Sequence, residues 1–184
     1  MATFRSVLRV LARVIRPSGL VLVFRGLRPG SYGTATYGDL TLALVDVRPP
    51  GRRNLPSLRE VVTDALKRLS VAGQGFGELV TSHLHRVIAM PREEMDKGSE
   101  IIWSQRAYLS AFDGLKSSDG HYLACLLIRA ATIARVMNDV RSSGATVTAD
   151  DVERISWQAQ KRFLGRFDNA ETWIIQMRPP SIRD

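Results

Sequence analysis

The stretch that decides the fold is LTLALVDVRPPGRRNLPSLREVVTDALKRL, residues 40–69. Its opening alternates. Leu40, Leu42 and Leu44 fall on one side and Thr41, Ala43 and Val45 on the other, the period-two pattern of a half-buried strand that ends at Arg48 before Pro49 and Pro50. Gly51, Arg52, Arg53 and Asn54 then occupy a basic turn with prolines at both ends. From Ser57 the apolar period changes. Leu58, Val61, Val62, Ala65, Leu66 and Leu69 recur at three and four residues and so line one face of a helix, and Ser57 with Glu60 three residues on predicts a capping box at its start. A strand that runs through a turn straight into an amphipathic helix places the chain in the α+β class.

Working toward the N-terminus, residues 20–25 are rich in Val and Leu and read as a second strand. Residues 26–38, with Gly26, Pro29, Gly30, Gly33 and Gly38, read as a mobile loop joining the two. Toward the C-terminus, residues 78–90 predict a helix with Leu79, Val80, Leu84, Val87 and Ile88 on one face and Pro91 as its stop. Residues 92–112 predict another, around Met95, Ile101, Ile102, Tyr108 and Leu109. Residues 121–140 are so densely apolar that they predict a central buried helix. Thr148 with Asp151 three residues later predicts a capped start to the last long helix, and residues 168–177 a short further element carrying Trp173. With 184 residues, 45% of them hydrophobic, the chain is long enough for one well-buried domain. The expected architecture is a mainly helical α+β domain over residues 18–184 with a small sheet of two or few strands near the N-terminus, preceded by an amphipathic helix over residues 1–17. The longest apolar runs, residues 20–24 and 123–128, fall well short of the roughly 20 residues that cross a bilayer, so a soluble or peripheral protein is expected.

Charge is distributed unevenly. Residues 1–68 carry 12 Lys and Arg against 4 Asp and Glu, whereas residues 69–184 carry 14 of each, so the whole surplus of +8 lies in the first 68 residues. The first acidic residue is Asp39. At about 100° per residue, Arg5, Arg9, Arg13 and Arg16 fall in one narrow stripe, and Phe4, Leu8, Leu11 and Ile15 lie on the opposite face. Such a helix suits a membrane interface, with its apolar side down and its guanidiniums among lipid phosphates. It also has the look of a mitochondrial presequence.

The residues that commonly carry catalysis form no coherent set. His83 and His85, two apart on an expected helix, would point about 200° away from each other and could not share a metal. Cys125, the sole cysteine, sits among Leu123 and Leu126 as a core residue and excludes an internal disulfide. Gly73, Gly75 and Gly77 are followed by Glu78 and by no Lys-Ser or Lys-Thr pair, so they read as a turn between helices. Asp150 and Asp151 fit a helix start, where carboxylates meet the positive end of the helix dipole. The expectation is a non-enzymatic protein with no metal, no cofactor and no small-molecule substrate.

A family resemblance rests on residues 42–69. A strand ending Val45-Asp46-Val47-Arg48, a proline-containing basic turn, and a helix opening at Ser57 with Glu60-Val61-Val62 resemble the corresponding stretch of rhabdovirus matrix proteins, the small plant-infecting members in particular. The chain departs from the family in having no Pro-Pro-x-Tyr sequence and in its strongly helical final third. The resemblance implies a structural protein of the virion and host-cell membrane, nucleus or cytoplasm. Such a protein binds an anionic membrane surface, condenses RNA or ribonucleoprotein, and associates with itself. On the matching positions, Arg48, Arg52 and Arg53 would contact phosphate. The N-terminal residues Phe4, Arg5, Leu8, Arg9, Leu11, Arg13, Ile15 and Arg16 would contact membrane, on the strength of their own amphipathicity. Two alternatives stand beside it. One is a nuclear-encoded mitochondrial protein whose first 36 or so residues are a cleaved presequence. The other is a nucleic-acid- or ribosome-associated binding module.

Overall fold

The computed structural model describes residues 31–91, 99–102, 106–111, 120–168, 170–179 and 182. The N-terminal helix and the strand expected at residues 20–25 lie outside them.

The fold is α+β, with a sheet larger than expected. Residues read as loop form a strand instead: β1 (Ser31–Tyr37) pairs antiparallel with β2 (Leu40–Asp46), in register from Ser31↔Asp46 to Tyr37↔Leu40. Only Gly38 and Asp39 separate the closing pair, and Gly38 takes φ +56°, which a two-residue hairpin turn requires at its first position. The glycines obscured a strand whose other members, Tyr32, Thr34, Thr36 and Tyr37, favour the extended chain. Gly33 is there because helix and strand meet closely: a Cβ would lie 3.2 Å from both Leu55 Cδ2 and Arg59 Nη2.

The helix expected from Ser57 is α1 (Leu55–Ala72), and its cap differs from the expected one. Asn54 Oδ1 accepts the Ser57 N–H at 3.0 Å, so Asn54 is the N-cap and Pro56 sits in the first turn, where its missing N–H costs nothing. The helix expected over residues 78–90 is two elements. α2 (Phe76–His83) stops at Leu84, which is extended, and β3 (Arg86–Met90) follows. Val87 and Ala89 face the helices, while Ile88 and Met90, at 0% and 2% exposure, are buried on the other side. A strand buried on both faces reads as an unbroken apolar run, which periodicity cannot distinguish from a helix. The helix expected over residues 92–112 is likewise replaced, by β4 (Ser99–Ile102) and β5 (Ala107–Ala111) paired antiparallel.

The five strands lie in the order β1-β2-β3-β5-β4. β2, β3 and β5 are mutually parallel at the centre, and antiparallel β1 and β4 flank them. One face of this sheet is covered by helices. Leu42 and Leu44 of β2, Val87 of β3 and Tyr108 of β5 join Leu58, Val62 and Leu66 of α1 and Leu123 and Leu127 of α3 (Gly120–Ser143) in one core. Each such side chain contributes roughly 1.5–3 kcal/mol on full burial. α3 is the expected central helix. Packed on it is α4 (Ala149–Leu164), which begins with the expected capping box: Thr148 Oγ1 accepts the Asp151 N–H at 3.1 Å, and Asp151 bonds back to Thr148. Arg129 of α3 meets both oxygens of Glu153 at 2.7 Å, and Gln160 donates to the Cys125 carbonyl at 3.1 Å. The short last helix, α5 (Ala170–Met177), lays Trp173, Ile174 and Met177 against the core and leaves Ile175 exposed.

Where β2 gives way to α1, a carboxylate is fully buried. Asp46 is 0% exposed and its partner Arg48 4%. Oδ1 accepts Arg48 Nε at 2.9 Å and the Arg48 backbone N–H at 3.2 Å, and Oδ2 accepts Arg48 Nη2 at 2.7 Å and the Asn54 N–H at 3.0 Å. Burial by itself would raise the Asp46 carboxyl, but the bonds from Arg48 and Asn54 and the guanidinium charge outweigh it and hold the group below its ordinary value. Asp46→Asn keeps the shape and removes the charge, so Arg48 stays buried without its carboxylate. The expected cost is about 3–5 kcal/mol, read as a lower urea midpoint at unchanged slope; a loss under about 1 kcal/mol would mean that the pair adds little.

Candidate anion-binding surface

The basic turn was the sequence's candidate for phosphate contact, and the structure divides its three arginines. Arg48 lies inside, committed to Asp46, and is removed from the candidate set. Two residues past a strand end, its side chain folds back over Asp46, whose buried oxygens need donors. Arg53 is half-buried and donates from Nε to the Arg48 carbonyl at 2.8 Å, which fixes the path of the turn. Arg52, in the single 3-10 turn Pro50–Arg52, is exposed. Arg59, which the sequence reading passed over, joins this end of the molecule: exposed on α1, it donates from Nε to the Thr34 carbonyl at 3.1 Å. Its position five residues past the N-cap was the available signal. Arg52 and Arg53 thus stand beside the N-terminus of α1, whose dipole adds to their attraction for anions, while Arg59, a turn further along, lies against β1. The membrane-contact candidates Phe4, Arg5, Leu8, Arg9, Leu11, Arg13, Ile15 and Arg16 lie outside the described residues.

The histidines are divided among three environments. His83 closes α2, half-buried, with Nδ1 lacking a hydrogen-bond partner. His85 lies in the link to β3, exposed, its Nε2 2.9 Å from Arg106 Nη1. A guanidinium can only donate, so His85 Nε2 accepts and the ring is neutral. His121 is buried at the start of α3 in an aromatic cluster, with ring centroids 4.9 Å from Trp173, 4.5 Å from Phe167 and 5.6 Å from Phe163. Arg68 Nη1 approaches its Nδ1 at 3.4 Å and pairs through Nε with Asp64 at 2.9 Å, while His121 Nε2 is buried without a partner. No group of three or more His, Cys, Asp or Glu among the described residues could hold a metal ion. Cys125 is buried, and burial pushes its thiol up to about 12, far from a reactive thiolate. Gly73 and Gly75 carry positive φ in the turn before α2, and Gly77 is held where a Cβ would strike Leu40, so all three serve packing and turning.

No protein family, curated protein or solved structure matches the chain.

The His121 cluster sets a pH dependence whose sign can be worked out. Burial first, and then the Arg68 charge, lower its pKa below the ordinary 6.5, with Asp64 opposing. Above 6.5 the ring is neutral in both folded and unfolded chains and folding is not penalised. Below it the unfolded chain binds the proton first, so stability falls as the pH drops from 6.5 toward the lowered folded value. His83 and His85 are also lowered and act in the same direction. His121→Phe is expected to flatten the slope over that window in urea titrations at successive pH values, and an unchanged slope would show that His121 does not set it.

Proposed function

We propose that the chain is a non-enzymatic structural protein that binds anionic surfaces and associates with itself, of the viral matrix type that residues 42–69 resemble. The segregation of charge carries this reading. Residues 1–30 hold six arginines and no carboxylate, whereas residues 31–184 hold 20 basic and 18 acidic side chains, an excess of two. A nearly neutral body bearing a cationic arm suits a protein whose body packs against copies of itself while its arm reaches for phosphate. The stripe Arg5, Arg9, Arg13 and Arg16 would lie among lipid headgroups with Phe4, Leu8, Leu11 and Ile15 at the acyl boundary. Arg52 and Arg53, at the mouth of α1, would meet the phosphates of RNA or ribonucleoprotein.

The commitment of the chemically capable groups supports it further. Cys125 and His121 are taken up in the core and Asp46 in its pair with Arg48. The same charge segregation favours one second reading, a mitochondrial protein whose arm is a cleaved presequence and whose balanced body is the mature form. N-terminal sequencing of the mature protein separates the two: a start at Met1 or Ala2 favours the matrix-type reading, a start near Tyr32 the imported one.

Each stripe arginine adds about 1 kcal/mol near an anionic surface. Changing Arg5, Arg9 and Arg13 to Glu together is therefore expected to lower co-sedimentation with phosphatidylserine-containing vesicles by at least about tenfold. Equal binding by parent and variant would overturn the membrane role. Changing Arg52 and Arg53 to Gln is expected to weaken RNA binding alike across sequences and to flatten the log-log salt slope by about 1.4 for two lost contacts. An unchanged slope would reduce the turn to a solvated loop.

A further inference from the structure

Among the described residues β1 is the outermost strand of the sheet, with β2 as its neighbour on the inner side. The hairpin closes over two residues, so Tyr37 and Leu40 exchange backbone bonds, and the alternation of an antiparallel ladder gives the same role to Ala35, Gly33 and Ser31. The N–H and C=O groups of Tyr32, Thr34 and Thr36 therefore turn outward. The position of Arg59 agrees. Its Nε donates to the Thr34 carbonyl at 3.1 Å, and its guanidinium lies against the strand at Gly33, where a Cβ would come within 3.2 Å of Nη2.

An outward row of backbone groups is a template for another strand, and proteins blunt such edges with charged side chains, prolines, bulges or very short strands. β1 has none of these in its own sequence. Its seven residues, Ser-Tyr-Gly-Thr-Ala-Thr-Tyr, include no charge and no proline, and its register with β2 runs without a bulge from Ser31 to Tyr37. Among the described residues the edge is blunted by one side chain of another element, Arg59, which holds the carbonyl of the middle residue, Thr34. Both Arg59 and Thr34 are exposed, so this bond opens to water without disturbing the β1–β2 ladder.

The edge is also self-complementary. Turned antiparallel about a two-fold axis at Thr34, a second copy sets Thr34 opposite Thr34 and Tyr32 opposite Thr36 across the joint, and each facing pair exchanges both backbone bonds. By strand alternation the side chains of Tyr32, Thr34 and Thr36 share the sheet face away from the helices, and all three are exposed, Tyr32 at 63%. Threonine on threonine and an aromatic on a β-branched residue are favourable cross-strand pairs. We propose that the outer edge of β1 is the surface through which the chain associates with itself: a second copy adds its β1 antiparallel about Thr34, the two sheets become continuous, and Arg59 is the guard that leaves the Thr34 carbonyl when they join. The proposal rests on the self-association in the function proposed above and gives it a surface and a register.

The test uses full-length protein, with association followed by sedimentation velocity over a range of concentrations. The expected parent is a reversible dimer. Arg59→Gln removes the guard from both copies and is expected to tighten the dimer about tenfold. Thr34→Lys and Thr34→Glu, each at an exposed position, set like charges directly opposite at the two-fold axis and are each expected to weaken the dimer at least tenfold, while a mixture of the two variants regains it as a heterodimer. Hydrogen exchange supplies a second reading: the amides of Tyr32, Thr34 and Thr36 are expected to exchange freely in dilute protein and to become protected as the dimer forms. A dimer untouched by either charge at position 34, or weakened by both and not regained on mixing, overturns the edge as the surface and leaves self-association standing. Protection of these amides that does not change on dilution also overturns it, because the chain itself would then fill the edge. Parent and Arg59→Gln protein that both stay monomeric would overturn the self-association as well.

Discussion

Four donors converge on one buried carboxylate, and the arrangement of the N-terminal half follows from that requirement. Asp46 ends a strand whose two neighbours are already paired, so its charge has no water to fall back on. The Arg48 side chain folds back to supply two donors, its own backbone a third and Asn54 a fourth. Asn54 is also the N-cap of α1, so one carboxylate fixes the strand end, the width of the turn and the point at which the helix begins. The helix so placed presses on β1 at Gly33 and supplies one side of the core. An ion pair in this setting contributes specificity of geometry more than net stability, because the cost of removing both charges from water offsets most of their attraction.

What the sequence made legible was whatever depended on local spacing. The capping box at Thr148 and Asp151, the apolar density of the central helix and the strand–turn–helix of residues 40–69 all follow from residues a few positions apart. What it concealed depended on partners distant in the chain. β3 is apolar on both faces because the sheet is buried on both sides there, and nothing within Arg86–Met90 distinguishes that from the end of a helix. Glycines at 30, 33 and 38 suggested a loop, when one answers to a side chain of α1 and another to a two-residue turn. Arg48 read as a surface cation because the sequence lists a basic residue without saying which carboxylate is near it. His85 and Arg106 are joined across 21 residues and by a left-handed backbone that no pattern announces.

Cys125, His121 and Asp46 are buried in packing roles, while Arg52, Arg59, Arg106 and Arg135 remain at the surface. Helix α1 opens beside Arg52 and α2 closes beside Arg106, so the first meets a positive dipole and the second a negative one. The two surfaces therefore differ in field even where their side chains are alike.

The parallel centre of the sheet also governs how the chain reaches this state. β2, β3 and β5 carry the core between them, yet no two of them can be joined by a tight turn, because parallel neighbours need a crossover. The β1–β2 hairpin closes over two residues, and α1 follows it at once, so this unit forms from near neighbours at little entropic cost. β4 and β5 likewise pair locally, whereas β3 meets β2 only across the whole length of α1 and α2, so closing that pair costs more chain entropy than either antiparallel one. Until it pairs, β3 is an apolar segment of the kind that seeks strands of other chains.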